Sequence, residues 1–207
     1  MTVRGIVVCL PDAPMDDYIG VIEVLIQEGF SHFALPANAE ALADVIAIFG
    51  ARATFGALRV WSSQHVHRAA DAGARFLFSD VAGSDVADAS DERGLPCWGS
   101  AMTPREVRGA VQLTGGALLY PADVVGHAMA ARLAELDLVG QVIPLGGVGA
   151  YAAGEWLKAG SPAVGVDHTL LGDAFDGGPL GQLRDRCHSF ISLERRYVTS
   201  AEEQPAD

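Results

Sequence analysis

Lysine is nearly missing from this sequence: among 207 residues there is one, Lys158. Lysine and arginine together number 14 against 26 aspartates and glutamates, giving a formal net charge of -12 with no basic run. That excludes binding to a nucleic-acid backbone, whose affinity comes from clustered cations that displace counterions. Cysteine is scarce too. Cys9, Cys97 and Cys187 are odd in number and far apart, with no C-x-x-C spacing for zinc or redox work, and read as reduced core residues of a cytosolic protein. Long apolar runs are also lacking: GIVVCL at the N-terminus lasts six residues before PDAPMDD, too short for a secretory signal or a membrane span.

What is present is apolar mass. Half of the residues are hydrophobic and only 19% are charged, so a large core can form and disorder is expected only at the ends. The length suits one domain, since a single α/β barrel runs to roughly 200–250 residues. Short apolar runs alternate with amphipathic stretches throughout. GIVVCL precedes MDDYIGVIEVLIQEG, where Ile19, Ile22, Leu25 and Ile26 share a predicted apolar face. HFALP precedes AEALADVIAIFG, ATFGALRVW precedes SSQHVHRAADAG, and ARFLFSD precedes a short SDVADASDERG. LPCWGSA leads to TPREVRGAVQLTG, ALLYPAD to VGHAMAARLAELD, QVIPLGGV to GAYAAGEWLKAG, and PAVGVDHTLL to the closing GPLGQLRDRCHSFISLERRYV. These eight units lack in-out alternation in their strands, which is the pattern of a parallel sheet covered by helices. Gly29, Gly50, Gly73 and Gly160 stand where left-handed helix caps belong, and Thr103-Pro104-x-Glu106 reads as a capping box. A single-domain (β/α)8 TIM barrel over residues 1–197 is the favoured class, with an open doubly wound sheet as the alternative and residues 198–207 as a solvated tail.

In such a barrel, chemistry belongs to the C-terminal ends of the strands. There Arg59, Ser79, Ser100 and Asp123 are the candidate ligand-contacting side chains. Arg59 is suited to a carboxylate, or equally to a structural ion pair with Asp80 or Asp12. Gly146, Gly147 and Gly165, in PLGGV and VGVD, would let backbone N–H groups approach a phosphate; the alternative is tight turns, and Asp167 would bring a negative charge into the same nest. Asp12, Asp80, Asp123, Asp167 and His168 face the mouth from separate elements without a local metal motif, so solvated carboxylates are preferred to a metal site. His65 and His67 fall on the third helix, away from the mouth.

Several segments together resemble the 2-keto-3-deoxy-6-phosphogluconate (KDPG) / 4-hydroxy-2-oxoglutarate (KHG) aldolases. PLGGVGAYAAGEWLKAGSPAVGVDHTLL is similar to that family's glycine-turn, helix and strand-end sequence, WGSAMTPREV to its T-P-x-E turn, DAGARFLFS to its fourth strand, and YPADVVG to its F-P-[AG]-E-x-x-G segment. The resemblance spans roughly residues 5 to 195 and implies a trimeric (β/α)8 barrel, with class I lyase chemistry as the family activity. The catalytic residues depart from the pattern. Where the family carries its Schiff-base lysine stands Leu118; where it carries the acid/base glutamate stands Ala34; where it often carries an arginine for the substrate carboxylate stands Asn38. Leu145 replaces the threonine before the glycines, Asp167-His168 replaces Gly-Ser, and Pro11 takes the place of an arginine after the first strand. Lys158 corresponds to an ordinary helix lysine of the family.

A leucine cannot form an imine. The expectation is therefore an aldolase-like barrel without class I activity, acting as a small-acid-binding or assembly pseudoenzyme. The alternative is a lyase on a 2-keto acid working by a metal- or arginine-assisted route. No cofactor is expected; the partners expected are a small carboxylate or keto acid and further copies of the chain in a cytoplasmic homotrimer, with no nucleic acid and no membrane. Trp61, Trp98 and Phe55 are the candidate exposed apolar residues for that assembly.

Overall fold

Strands that are apolar on both faces cannot leave either face in water, and here all eight are covered. A computed structural model describes residues 3–194 and 196–197; the expected tail at 198–207 lies outside them. The strands are β1 (Gly5–Cys9), β2 (His32–Pro36), β3 (Thr54–Val60), β4 (Leu77–Ser79), β5 (Cys97–Ala101), β6 (Gly115–Leu119), β7 (Val142–Pro144) and β8 (Ala163–Val166). All pair in parallel, in the order β7-β6-β5-β4-β3-β2-β1-β8. Since β7 also lies beside β8, the ring is nearly closed and keeps chain order. That makes it a single-domain (β/α)8 TIM barrel; a doubly wound sheet would reverse its strand order partway.

The helices form the outer layer: α1 (Met15–Glu28), α2 (Leu42–Phe49), α3 (Ser63–Asp71), α4 (Ser84–Arg93), α5 (Pro104–Thr114), the short α6 (Ala122–Val125) and α7 (Met129–Glu135), α8 (Ala150–Ala159), the short α9 (His168–Leu171) and α10 (Leu180–Glu194). The stretch VGHAMAARLAELD, expected to be helical, is so only over α7, because Gly126 has a φ of 82° that no right-handed helix accepts, and the short α6 forms before it over residues expected to close the strand segment. The capping box at α5 forms as expected: Thr103 Oγ1 accepts from the Glu106 N–H and the Glu106 carboxylate accepts from the Thr103 N–H.

Side chains alternate between two cores. From β1, Ile6 and Val8 point outward to α1 and α10, while Val7 and Cys9 point into the barrel. Phe76, Phe78 and Trp98 meet inside the barrel, with ring centroids 5.2 and 5.9 Å apart along that chain of contacts.

Three expectations are corrected. On α1 the buried face runs through Tyr18, Val21, Ile22 and Leu25, leaving Ile19 exposed at its edge. Gly50 is right-handed, because the chain turns on through an Ala53 N–H to Phe49 O bond before reversing. Phe55 and Trp98 are buried, Phe55 stacked on Phe33 and Trp98 inside the barrel; only Trp61 is exposed, its ring against His65.

Candidate ligand site at the barrel mouth

Beneath the mouth the barrel is filled with apolar side chains. Leu118 and Ala34 are 2% and 0% exposed, in one cluster with Val7, Cys9, Leu58, Ile143 and Leu145. Leu118 pairs in register with Ser100, and Ala34 with Cys9 on one side and Gly56 on the other. The Cys9 thiol of that layer is not poised for proton transfer: burial pushes it far above its ordinary range, and the nearby Asp167 carboxylate raises it further. The lysine, Lys158, lies on α8 in the last turn before β8, at the end of the barrel opposite the mouth. Its side chain is 65% exposed and lies 3.9 Å from Glu155.

Above this floor opens a cleft of about 500 Å³. Cys9, Leu58 and Leu145 form its base; Asp12, Asp17, Asp167 and Asp176 give it carboxylates; Arg59, Tyr120 and His168 complete its polar rim. Arg59 is held there by an unusual backbone. A register shift interrupts the β3–β4 ladder between Ala57 and Val60, and Arg59 takes φ 59°, a left-handed conformation that costs a non-glycine residue about 1–2 kcal/mol. The bulge re-aims the side chain over the mouth. One guanidinium nitrogen donates to Asp80 Oδ1 at 3.3 Å and another to the Tyr120 hydroxyl at 3.1 Å, while the group lies 4.8 Å above the Tyr120 ring. Arg59 is thus ion-paired with Asp80 and at the same time lines the cleft.

The glycine turn after β7 is already occupied from within. Gly146 and Gly147 have φ of 101° and 66°, a left-handed turn that favours glycine, and the Gly147 N–H points at an anion. The anion present is the protein's own: the Gly147 N–H donates to Asp167 Oδ2 at 3.2 Å. Asp123 closes the other side. Its backbone N–H donates to Gly146 O at 3.0 Å, its Oδ1 accepts from the Val124 N–H, and its carboxylate packs so close to Gly147 that a Cβ there would collide with it. The other Asp167 oxygen is buried and lacks a hydrogen-bond donor; His168 Nδ1 is 3.1 Å away, but its geometry does not make a bond. Gly165 serves packing, since its bare Cα gives Leu145 room.

The other sequence candidates are scattered. Ser79 is fully buried and spent on the backbone, donating to Val60 O at 2.7 Å. Ser100 is half-buried on β5, two residues beyond the interior Trp98, and Asn38 sits outside the cleft in a separate groove behind the start of α1. Among the described residues no three His, Cys, Asp or Glu side chains are arranged to hold a metal ion. The sequence reading missed Asp17, Phe175 and Asp176, which close the cleft from α1 and from the segment after α9. The turn-rich GDAFDGG after β8 was the only signal for Phe175 and Asp176.

Fold and site together define a small (β/α)8 barrel with one apolar-floored mouth cleft, the architecture of an aldolase-type barrel. The chain belongs to the KDPG and KHG aldolase family, whose model matches residues 2–175. Among solved structures it is similar to a native KDPGal structure, with TM-score 0.82 and 19% identity over 96% of this chain and 98% of that one. It is also similar to a KDPG aldolase from Legionella pneumophila with pyruvate captured as a covalent carbinolamine, with TM-score 0.78 and 18% identity over 90% of this chain and 94% of that one. A third, a cube-shaped cage designed by fusing symmetric oligomeric domains, gives TM-score 0.82 and 18% identity over 98% of this chain and 76% of that one. A comparison with curated proteins gave no match.

Proposed function

We propose that this family member has lost imine-based aldol chemistry and acts as a binding or assembly protein whose mouth cleft takes a small carboxylic acid. One observation carries the reading: Leu118 and Ala34 lie buried in an apolar layer while the lysine is on the far outer surface. In the family resemblance those two positions hold the amine and the acid/base. Losing both removes terms worth several orders of magnitude in rate, and binding groups alone do not restore them. Arg59 is the group that would hold the acid, with Cys9, Leu58 and Leu145 under its carbon skeleton.

The test is borohydride reduction in the presence of pyruvate, read by intact mass, together with exchange of pyruvate's methyl protons. No adduct and no exchange are expected, with or without chelator. A trapped adduct would overturn the proposal. Exchange that is suppressed by chelator or lost with Arg59 would favour the alternative, a lyase on a 2-keto acid by a metal- or arginine-assisted route; the placement of Arg59 over the cleft is the observation behind that alternative. We further propose a homotrimer in the cytoplasm. Support for assembly comes from the oligomeric domains of the similar designed cage and support for a reducing compartment from three buried free thiols. Among the described residues no helix is long and apolar enough to cross a membrane.

A further inference from the structure

Resting on the reading that the cleft takes a small acid, we infer that it selects singly charged, unphosphorylated acids, with Asp167 and Asp123 as the residues that turn phosphorylated ones away. A turn with two successive left-handed glycines, two residues before the N-cap of a ten-residue helix, is a place where a phosphate would be expected to settle. Here the Gly147 N–H is taken by a carboxylate at 3.2 Å, so an incoming phosphate must displace a covalently tethered competitor. It must also approach Asp123, whose carboxylate is pinned beside Gly147 by the Val124 N–H at 2.8 Å. The fixed negative charge of Asp167, partly shielded from solvent, opposes a dianion there, and the exposed Asp123 adds to the repulsion.

The mouth cleft, which Asp167 lines while Asp123 and Gly147 border a separate small cavity, reinforces the discrimination. Asp12, Asp17 and Asp176 line it without a hydrogen bond or ion pair from their carboxylates among the described residues, and Arg59 has already given part of its charge to Asp80. One carboxylate can be accepted at the exposed edge of the guanidinium; the described residues lining the cleft include no second arginine or lysine for another anionic group, only the imidazole of His168. Asp167 and Asp123 are thus specificity residues that act by occupying a subsite.

The test compares glycerate with 3-phosphoglycerate, and adds inorganic phosphate alone, by titration calorimetry on the full chain and on an Asp167→Gly/Asp123→Ala double variant. The wild type is expected to bind glycerate at least about tenfold more tightly than 3-phosphoglycerate and to give no heat with phosphate. The double variant is expected to gain phosphate binding and at least about tenfold in 3-phosphoglycerate affinity, a larger gain than it shows for the singly charged glycerate. Asp167→Asn keeps an acceptor for the Gly147 N–H and removes only charge, so it controls for folding and is expected to fall between the two. Wild-type preference for 3-phosphoglycerate, or a folded double variant that gains nothing, overturns the inference. Absence of glycerate and pyruvate binding alone would instead strike the small-acid reading, because the gain of inorganic phosphate by the variant is independent of it.

Discussion

At the scale of a single residue, Arg59 is both the strained backbone position and the cation of the mouth cleft. A left-handed arginine is retained only where the surroundings over-determine it, and here they do so through a bulge, an ion pair with Asp80 and a hydroxyl contact with Tyr120. Asparagine tolerates the same backbone, so Arg59→Asn removes the charge without adding strain. Calorimetry with pyruvate or glycerate on this variant is expected to show affinity reduced at least about tenfold, the loss typical of a charge-assisted hydrogen bond. The pair with Asp80 is exposed on both sides, 42% and 33%, so the accompanying stability change is expected below about 1 kcal/mol. Unchanged affinity would move the acid elsewhere. That Arg59 stands at a strand end was legible in the sequence. Its bulge and its contact with Tyr120 were not, because both depend on a register shift and on a residue 61 positions away.

At the scale of the element, the sequence was most informative where the chemistry is local. Thr103, Pro104 and Glu106 are enough to start α5, since each bond of the capping box spans at most three residues. Thr103→Ala is expected to cost about 1 kcal/mol, visible in chemical denaturation. Glu106 adds a pH signature. The Met102 and Thr103 N–H groups hold its carboxyl below the ordinary value of 4.5. A group with a depressed folded pKa stabilises the fold above its unfolded pKa and loses that effect as pH falls through the folded one. The stability gap between wild type and Glu106→Ala is therefore expected to be full above about pH 5 and to shrink below about pH 4. A gap that is flat down to pH 3 would show that the carboxylate is not the stabilising form. The eight strand–helix units were equally readable, because their apolar runs fall where the sheet demands them. By contrast, Gly50 and the α6–α7 break depend on how the next turn is hydrogen-bonded, and Phe55 and Trp98 on which face of a strand looks inward. A stretch apolar on both faces carries no mark of that direction.

At the scale of the whole molecule, closure of the ring brings Asp12 from the start of the chain into one cleft with Asp167 and Asp176 from its later part, and no local motif could announce that meeting. The acidic surface also bears on assembly. Trp61, Val124 and Tyr151 are 54%, 73% and 73% exposed, large apolar groups that a monomer leaves in water. Light scattering is expected to return three times the 21.6 kDa of one chain, and a monomer mass would remove the trimer from the proposal. The position of Lys158 has a practical corollary. An amine-reactive dye or surface tether has a single side chain to attach to, and that attachment point is at the closed end of the barrel. With the α-amino group blocked beforehand, coupling through that side chain immobilises the protein with its cleft presented to solution.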